Sequence, residues 1–258
     1  MQDNRDYISC KILFRKKGSH AAENETNALA QRKAEQLKQQ QKQKTRRLIW
    51  FSTVGVLLVL IIAVLAIQPQ PKAKTASFDY VNLPVLGNAE APVKIVEFGD
   101  FQCPACKSVN QLIKPELVKD YVDQGKAAFY FMNLPILGTD SHTAALAAQS
   151  VFHQNPDAYW TYFDAIYERQ GDENSGWASV EFLVALAKEL KLPIDYDQLQ
   201  KDITEATYKN EVDEQYAKGD KLGVNSTPTF FINGIEYAGN VGDYAALKKY
   251  IDQELQGK

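Results

Sequence analysis

The chain has 258 residues, room for one good-sized domain plus extra segments. Its formal net charge of −3 hides a split: residues 1–47 carry 12 Lys/Arg and 5 Asp/Glu, a balance of +7, and the remainder carries 17 and 27, a balance of −10. The basic part has few aromatics and no recognisable binding motif, which argues against nucleic acid as a partner and for membrane topology.

In chain order, residues 21–47 are rich in Ala, Gln, Glu and Lys and read as a solvated helical tail without an apolar stripe. Residues 48–67, LIWFSTVGVLLVLIIAVLAI, then run for 20 residues without a charge. As a helix they would reach about 30 Å, the thickness of a bilayer core. Trp50 and Phe51 suit an interfacial end, and no polar face interrupts the run as it would in a core helix. Lys33, Lys38, Lys42, Lys44, Arg46 and Arg47 lie close before it, against Lys72 and Lys74 after it. The positive-inside bias thus predicts a single-pass membrane protein with its N-terminus in the cytoplasm and residues 83–258 outside. A cleaved signal peptide is the competing reading; Val64-Leu65-Ala66 is a tolerable cleavage site, but the basic and apolar regions are both long for one. Cys10 would stay reduced in the cytoplasmic tail. Residues 68–82 read as a linker.

The globular pattern starts with residues 93–98 (VKIVEF), a buried strand, followed within five residues by Cys103-Pro104-Ala105-Cys106. Residues 107–124 read as a helix with a break or kink at Pro115, and residues 127–136 as a second strand. From 137 to about 223 the periodicity is helical, with Leu183, Leu186, Ala187 and Leu190 on one face. Residues 228–233 (PTFFIN) read as a third strand, Gly234 as a tight turn into residues 235–239, and residues 243–256 as an amphipathic helix with Tyr244, Leu247, Ile251 and Leu255 on one side. This order is an α/β thioredoxin fold with a helical domain inserted between strands 2 and 3.

Disulfide exchange needs one accessible thiol of low pKa and a second close enough to resolve the mixed disulfide. A CxxC at a strand-to-helix junction meets both needs. Cys103 falls at a helix N-terminus, where free N–H groups favour a thiolate, Cys106 lies one turn on, and Pro104 fits a first turn that has no use for its missing N–H. A zinc site would need two more ligands, but the exported part has no other Cys, and His142 and His153 are 11 residues apart, about 16 Å along a helix. No metal is therefore expected. A purely structural CxxC disulfide would close too short a loop to restrict the unfolded chain much.

The segment APVKIVEFGDFQCPAC resembles the start of the DsbA-like family, more closely its membrane-anchored Gram-positive type, and GVNSTPTFFING resembles the cis-proline loop of the same family. The resemblance runs from about Val85 to the C-terminus. It implies that Cys103 is the cysteine that attacks and is attacked, Cys106 the resolving one, and Pro228 a cis-proline packed against the pair. It also implies that Thr227 and Pro228, with Pro104 and Ala105, meet an extended substrate. Glu97, six residues before Cys103, matches an acidic residue able to exchange a proton with Cys106. Asp100 and Phe101 would shape the loop. The chain departs from the enteric oxidase at Ala105, where that enzyme has His, at Asn110, where it has an acidic residue, and at Phe129, aligned with a Lys. His142 reads as a capping or packing residue, and Asn225-Ser226-Thr227 as a coincidental match to a glycosylation acceptor. Asp172 with Glu173, and Asp195 with Asp197, lack the loop spacing of a cation site.

The expected function is oxidation of dithiols in exported proteins, with the Cys103–Cys106 disulfide as the redox centre and no further cofactor. The resemblance implies reoxidation by a quinone-linked thiol oxidase in the membrane. The alternatives are a reductase or isomerase on the same fold, or a peptide-binding module with a structural disulfide.

Overall fold

The structure, a computed structural model, describes residues 32–33, 35–38, 41–61 and 74–257. Cys10, residues 62–67 of the expected span and most of the linker lie outside the described residues. The chain divides into two compact units, Met1–Pro71 and Lys72–Lys258.

In the first unit residues 41–61 form a helix, α1. Its apolar side chains, Trp50, Phe51, Leu57, Val59 and Ile61 among them, are exposed. Among the described residues no helix is long and apolar enough to cross a membrane. The described helix holds only residues 48–61 of the expected span and includes the basic residues just before it.

The second unit is built on five strands: β1 (Val85–Leu86), β2 (Val93–Gly99), β3 (Ala127–Asn133), β4 (Thr229–Ile232) and β5 (Ile235–Glu236), in the spatial order β1-β3-β2-β4-β5. Only β2 and β3 run parallel, so only they need a long crossover, which the helical stretch beginning at the CxxC motif supplies. Both central strands are buried on both faces, which is why they read as nearly continuous apolar runs. On one face Ile95, Phe129 and Phe230 pack with Leu117 and Tyr121 of the crossover and with Leu247 and Ile251 of the last helix, Tyr244–Gln256. On the other, Val96, Phe98, Tyr130 and Phe231 are covered by Leu83, Phe78 and Tyr80.

The crossover is not the single kinked helix expected. It consists of α2 (Pro104–Ser108), a π-helical stretch Val109–Ile113, α3 (Lys114–Leu117) and a second π-helical stretch Val118–Val122. The widened turns flank Pro115, which has no N–H to give, so its defect is spread over two turns rather than concentrated in one bend. Lys114 donates its N–H to the Val109 carbonyl, five residues back.

Five helices occupy the expected helical block between β3 and β4: α4 (Thr139–Gln154), α5 (Pro156–Glu168), α6 (Val180–Glu189), α7 (Tyr196–Thr204) and α8 (Lys209–Lys221). Their starts are written locally. Asn155 caps α5 with Pro156 behind it, Ser179 caps α6, and Asp195 caps α7 by accepting from the N–H groups of Asp197 and Gln198. Leu183, Leu186 and Ala187 are buried as their spacing predicts, with Leu190 packed against them. Three details differ from the sequence reading. β1 was not expected, because two residues carry no period; it is recruited by β3 and by the Trp160 indole, which donates to the Val85 carbonyl at 2.8 Å. β3 stops at Asn133 rather than 136, because the Ile136 and Leu137 N–H groups turn away to the Asp100 carboxylate. His142 is exposed and caps nothing; Gly138 is the N-cap of α4.

Candidate active site

Beyond Gly99 the chain leaves the sheet through a short turn that Asp100 organises. Its carboxylate accepts from the N–H groups of Gln102 at 2.7 Å, Ile136 at 2.8 Å and Leu137 at 3.0 Å, and its carbonyl accepts from Cys103 N–H. Phe101 locks the turn inward, its ring centroid 5.4, 5.5 and 5.1 Å from those of Phe131, Phe163 and Tyr167. Cys103 becomes the N-cap of α2 in an extended conformation, and Pro104 occupies the first turn.

Both cysteines are thiols in this structure. Cys103 keeps 7% of its surface and Cys106 none, so the first is more enclosed than the sequence led us to expect, and Pro104 and Ala105 form the exposed crest of the motif. Their chemistry diverges sharply. The Cys103 thiol is lowered to about 6, first by a hydrogen bond from Cys106 and then by Thr227 and the backbone N–H groups of Cys106 and Ala105, against the opposing effect of burial. Cys106 is pushed well above the ordinary thiol range, chiefly by burial, and further by the bond it gives to Cys103 and by the nearby charge of Glu97.

Thr227-Pro228 is a cis peptide, and the Thr227 carbonyl accepts from Cys103 Sγ at 3.3 Å. Thr227, Pro228, Cys103 and Cys106, which are more than 120 residues apart in sequence, therefore meet at one place. Glu97 stands in β2 between Phe131 and Phe230 in register. Burial among these rings raises its carboxyl to about 8, with Lys114 pulling the other way.

Two further contributors carry no signal in the sequence. Lys114 is 6% exposed, ion-paired with Asp164 of α5, and its Nζ lies 4.9 Å over the Phe163 ring and 5.3 Å over that of Trp160. Burial lowers its pKa, with Asp164 and Glu97 opposing. An isolated Lys beside a proline reads as a solvated helix position, so no pattern could have singled it out. Gln170, just past α5, donates to the carbonyls of Phe101 at 2.7 Å and Cys103 at 3.2 Å, tying the helical block to the redox turn. The positions that depart from the enteric pattern are filled differently: Phe129 packs on Trp160 and Phe230, and Asn110 is buried.

The thioredoxin family model matches residues 80–253. The probable disulfide bond formation protein D of Bacillus cereus is 35% identical over 211 residues, 81% of this chain and 95% of that protein. Its counterpart in Bacillus anthracis is 37% identical over 208 residues, 79% of this chain and 93% of that one. The crystal structure of oxidised BdbD from Bacillus subtilis superposes with a TM-score of 0.68 at 33% identity, covering 72% of this chain and all of the other. A family match across nearly all of the second unit, relatives aligned over nearly their full length and a redox turn assembled from both motifs converge: the chain belongs to the DsbA-like, thioredoxin-fold family that includes the disulfide bond formation protein D of Bacillus.

Proposed function

We propose that the protein is an extracytoplasmic thiol–disulfide oxidoreductase that introduces disulfides into exported proteins. The observation that carries this reading is the asymmetry of the pair: the Cys103 thiol, seated against Thr227, has its pKa lowered to about 6, while burial pushes that of Cys106 well above the ordinary thiol range. In the oxidised protein a substrate thiolate attacks Cys103 Sγ, breaking the Cys103–Cys106 bond and forming a mixed disulfide. Cys106 leaves as a thiolate and takes up a proton, for which Glu97, a buried acid whose charge acts on Cys106, is the donor. A second substrate thiolate attacks the substrate sulfur, the product disulfide forms, and Cys103 departs as the stable thiolate. The Thr227 backbone, with Pro228, Pro104 and Ala105 around it, receives the extended substrate segment as an added strand.

Residues 48–67 anchor the catalytic unit outside the cytoplasmic membrane, supported by their length, their lack of charge and the basic residues before them. A quinone-linked membrane thiol oxidase would restore the disulfide, and the anchor would keep both proteins in one plane. The test is to mix the oxidised full-length protein with a reduced, unfolded dithiol protein and count substrate thiols. Loss of two substrate thiols for every Cys103–Cys106 pair reduced is the expected result. Stable mixed disulfides without product, or no thiol loss, would overturn the reading.

A further inference from the structure

Lys114 is a buried cation that the exchange steps above do not use. Its carboxylate partner, Asp164, is half exposed, and the two aromatic faces it lies against, Trp160 and Phe163, come from the same helix, α5. Phe163 packs on Phe131 with ring centroids 4.7 Å apart, and Phe131 is the register partner of Glu97. Glu97 Oε1 reaches forward along the strand to lie 3.2 Å from where a Cβ on Gly99 would stand, a position the Phe131 ring also borders. Ammonium and carboxyl therefore share one aromatic-walled interior beneath the cysteines. A hydroxyl in the same interior strengthens the case: Tyr159 of α5 is fully buried and has no hydrogen-bond partner among the described residues, and the charges of Glu97 and Asp164 both act on it. The titratable groups facing this interior are Glu97 from β2, Cys103 and Cys106 from the redox turn, Tyr159, Asp164 and Tyr167 from α5, and Lys114 itself.

We propose that Lys114, anchored on Asp164 and held against Trp160 and Phe163, is a positioning residue for disulfide exchange, its buried ammonium compensating the Glu97 carboxylate that forms when Glu97 gives its proton to Cys106. The inference rests on the proposed oxidoreductase reading. The step balances. The substrate thiolate breaks the Cys103–Cys106 bond, Cys106 leaves with the electron pair, and the Glu97 carboxyl proton moves to Cys106 Sγ. Until Glu97 regains a proton from solvent, its buried carboxylate faces a buried ammonium across the shared aromatic interior instead of standing as an uncompensated buried anion. When Cys106 is reoxidised its proton leaves through Glu97. The π-helical stretch before Pro115 fits this use: it adds a residue to the turn just ahead of Lys114, and such widened turns concentrate at functional sites. The chain thus supplies a cation from its redox helix where the aligned strand position holds Phe129.

The test compares the full-length protein with Lys114→Met, Lys114→Gln and Lys114→Arg, each alone and combined with Glu97→Gln. Infrared difference spectra, with Glu97→Gln as blank, read the protonated carboxyl band of Glu97 against pH. Stopped-flow mixing of the oxidised protein with a dithiol peptide reads the single-turnover rate. Loss of the cation should move the Glu97 midpoint upward by about one pH unit and slow single turnover about tenfold, in Met and Gln variants alike. Arg should restore both, and in the Glu97→Gln background Lys114→Met should cost nothing further. An unmoved Glu97 midpoint, or a rate loss that persists without Glu97, overturns the inference. If the wild-type protein fails to oxidise the peptide while the midpoint still shifts, the oxidase reading fails and the Lys114–Glu97 coupling stands by itself.

Discussion

At the scale of single residues, Glu97 differs most from its behaviour in water, and this has a consequence for stability. Its carboxyl titrates near 8 in the fold and near 4.5 when unfolded. Because the folded value is raised, the folded state keeps this proton while the unfolded chain has lost it. The stabilising contribution is complete below about pH 4.5 and is lost as pH rises toward 8. At neutral pH the penalty is on the order of 3 kcal/mol. Glu97→Gln should therefore stabilise the reduced protein by roughly that amount in urea unfolding near pH 7, and by almost nothing near pH 4. An equal effect at both pH values would mean that the shift is not the cause. The cysteines give a second prediction. In reduced protein, limiting iodoacetamide at mildly acidic pH should label Cys103 and spare Cys106, because only Cys103 has a substantial thiolate fraction there. Cys106→Ala should then accumulate mixed disulfides with exported proteins and Cys103→Ala almost none; equal trapping by the two variants would refute the division of roles. The cysteines, Pro228 and Glu97 were legible because each sits in a local string with a fixed offset. Lys114 and Gln170 were not, since their roles depend on helix packing that no local pattern encodes.

At the scale of elements, the helical block acts on the redox turn through a few polar contacts. Gln170 holds the carbonyls of Phe101 and Cys103, and Gln102, inside the turn, donates to Ser141 Oγ and the Leu137 carbonyl, both at 3.1 Å. Without Gln170 the Phe101 carbonyl loses this donor in a partly buried place, while the Cys103 carbonyl keeps only the Lys107 N–H. Gln170→Ala should cost about 1–2 kcal/mol in urea unfolding and raise the apparent pKa of Cys103, read by iodoacetamide kinetics, because the backbone that aims N–H groups at the sulfur is freed to move. A variant that loses stability with an unchanged Cys103 titration would confine Gln170 to packing. The sequence read these elements well where chemistry is local. The leucine spacing of α6 is such a signal; the Asn155, Ser179 and Asp195 caps are equally local, but they were not singled out in the sequence. It read poorly where geometry is borrowed: β1 exists only because β3 and Trp160 recruit it, and β5, expected to run to 239, is two residues long. Pro115 announced a defect, but two widened turns were a tertiary solution beyond the reach of propensity.

For the molecule as a whole, the direction of disulfide exchange follows from the two thiols, which make it an oxidant. Stabilising the Cys103 thiolate favours the reduced protein over the disulfide, and each pKa unit is worth about 1.36 kcal/mol, close to 30 mV for a two-electron couple. Ala105 withholds the side-chain donor that the enteric oxidase places before its second cysteine, so the gain here comes from Cys106, Thr227 and backbone N–H groups alone. The pH dependence of the potential separates this account from an inert CxxC. Below about pH 6 reduction of the disulfide takes up two electrons and two protons, because Cys103 and Cys106 both end as thiols. Above about pH 6 only Cys106 takes a proton. Equilibration of the full-length protein with glutathione buffers, corrected for the titration of glutathione itself, should show a slope of about 59 mV per pH unit on the acid side and about 30 mV above the break. The reduced protein should also unfold at higher urea than the oxidised one near neutral pH, since whatever makes the disulfide oxidising must stabilise the reduced fold relative to the unfolded dithiol. The sign follows from the lowered pKa: the thiolate contribution is present at alkaline pH and is lost as pH falls through about 6, so the advantage of the reduced form should shrink in acid. An unbroken steep slope up to about pH 8, with the oxidised form the more stable, would leave Cys103 an ordinary thiol and move the protein from oxidase to reductase.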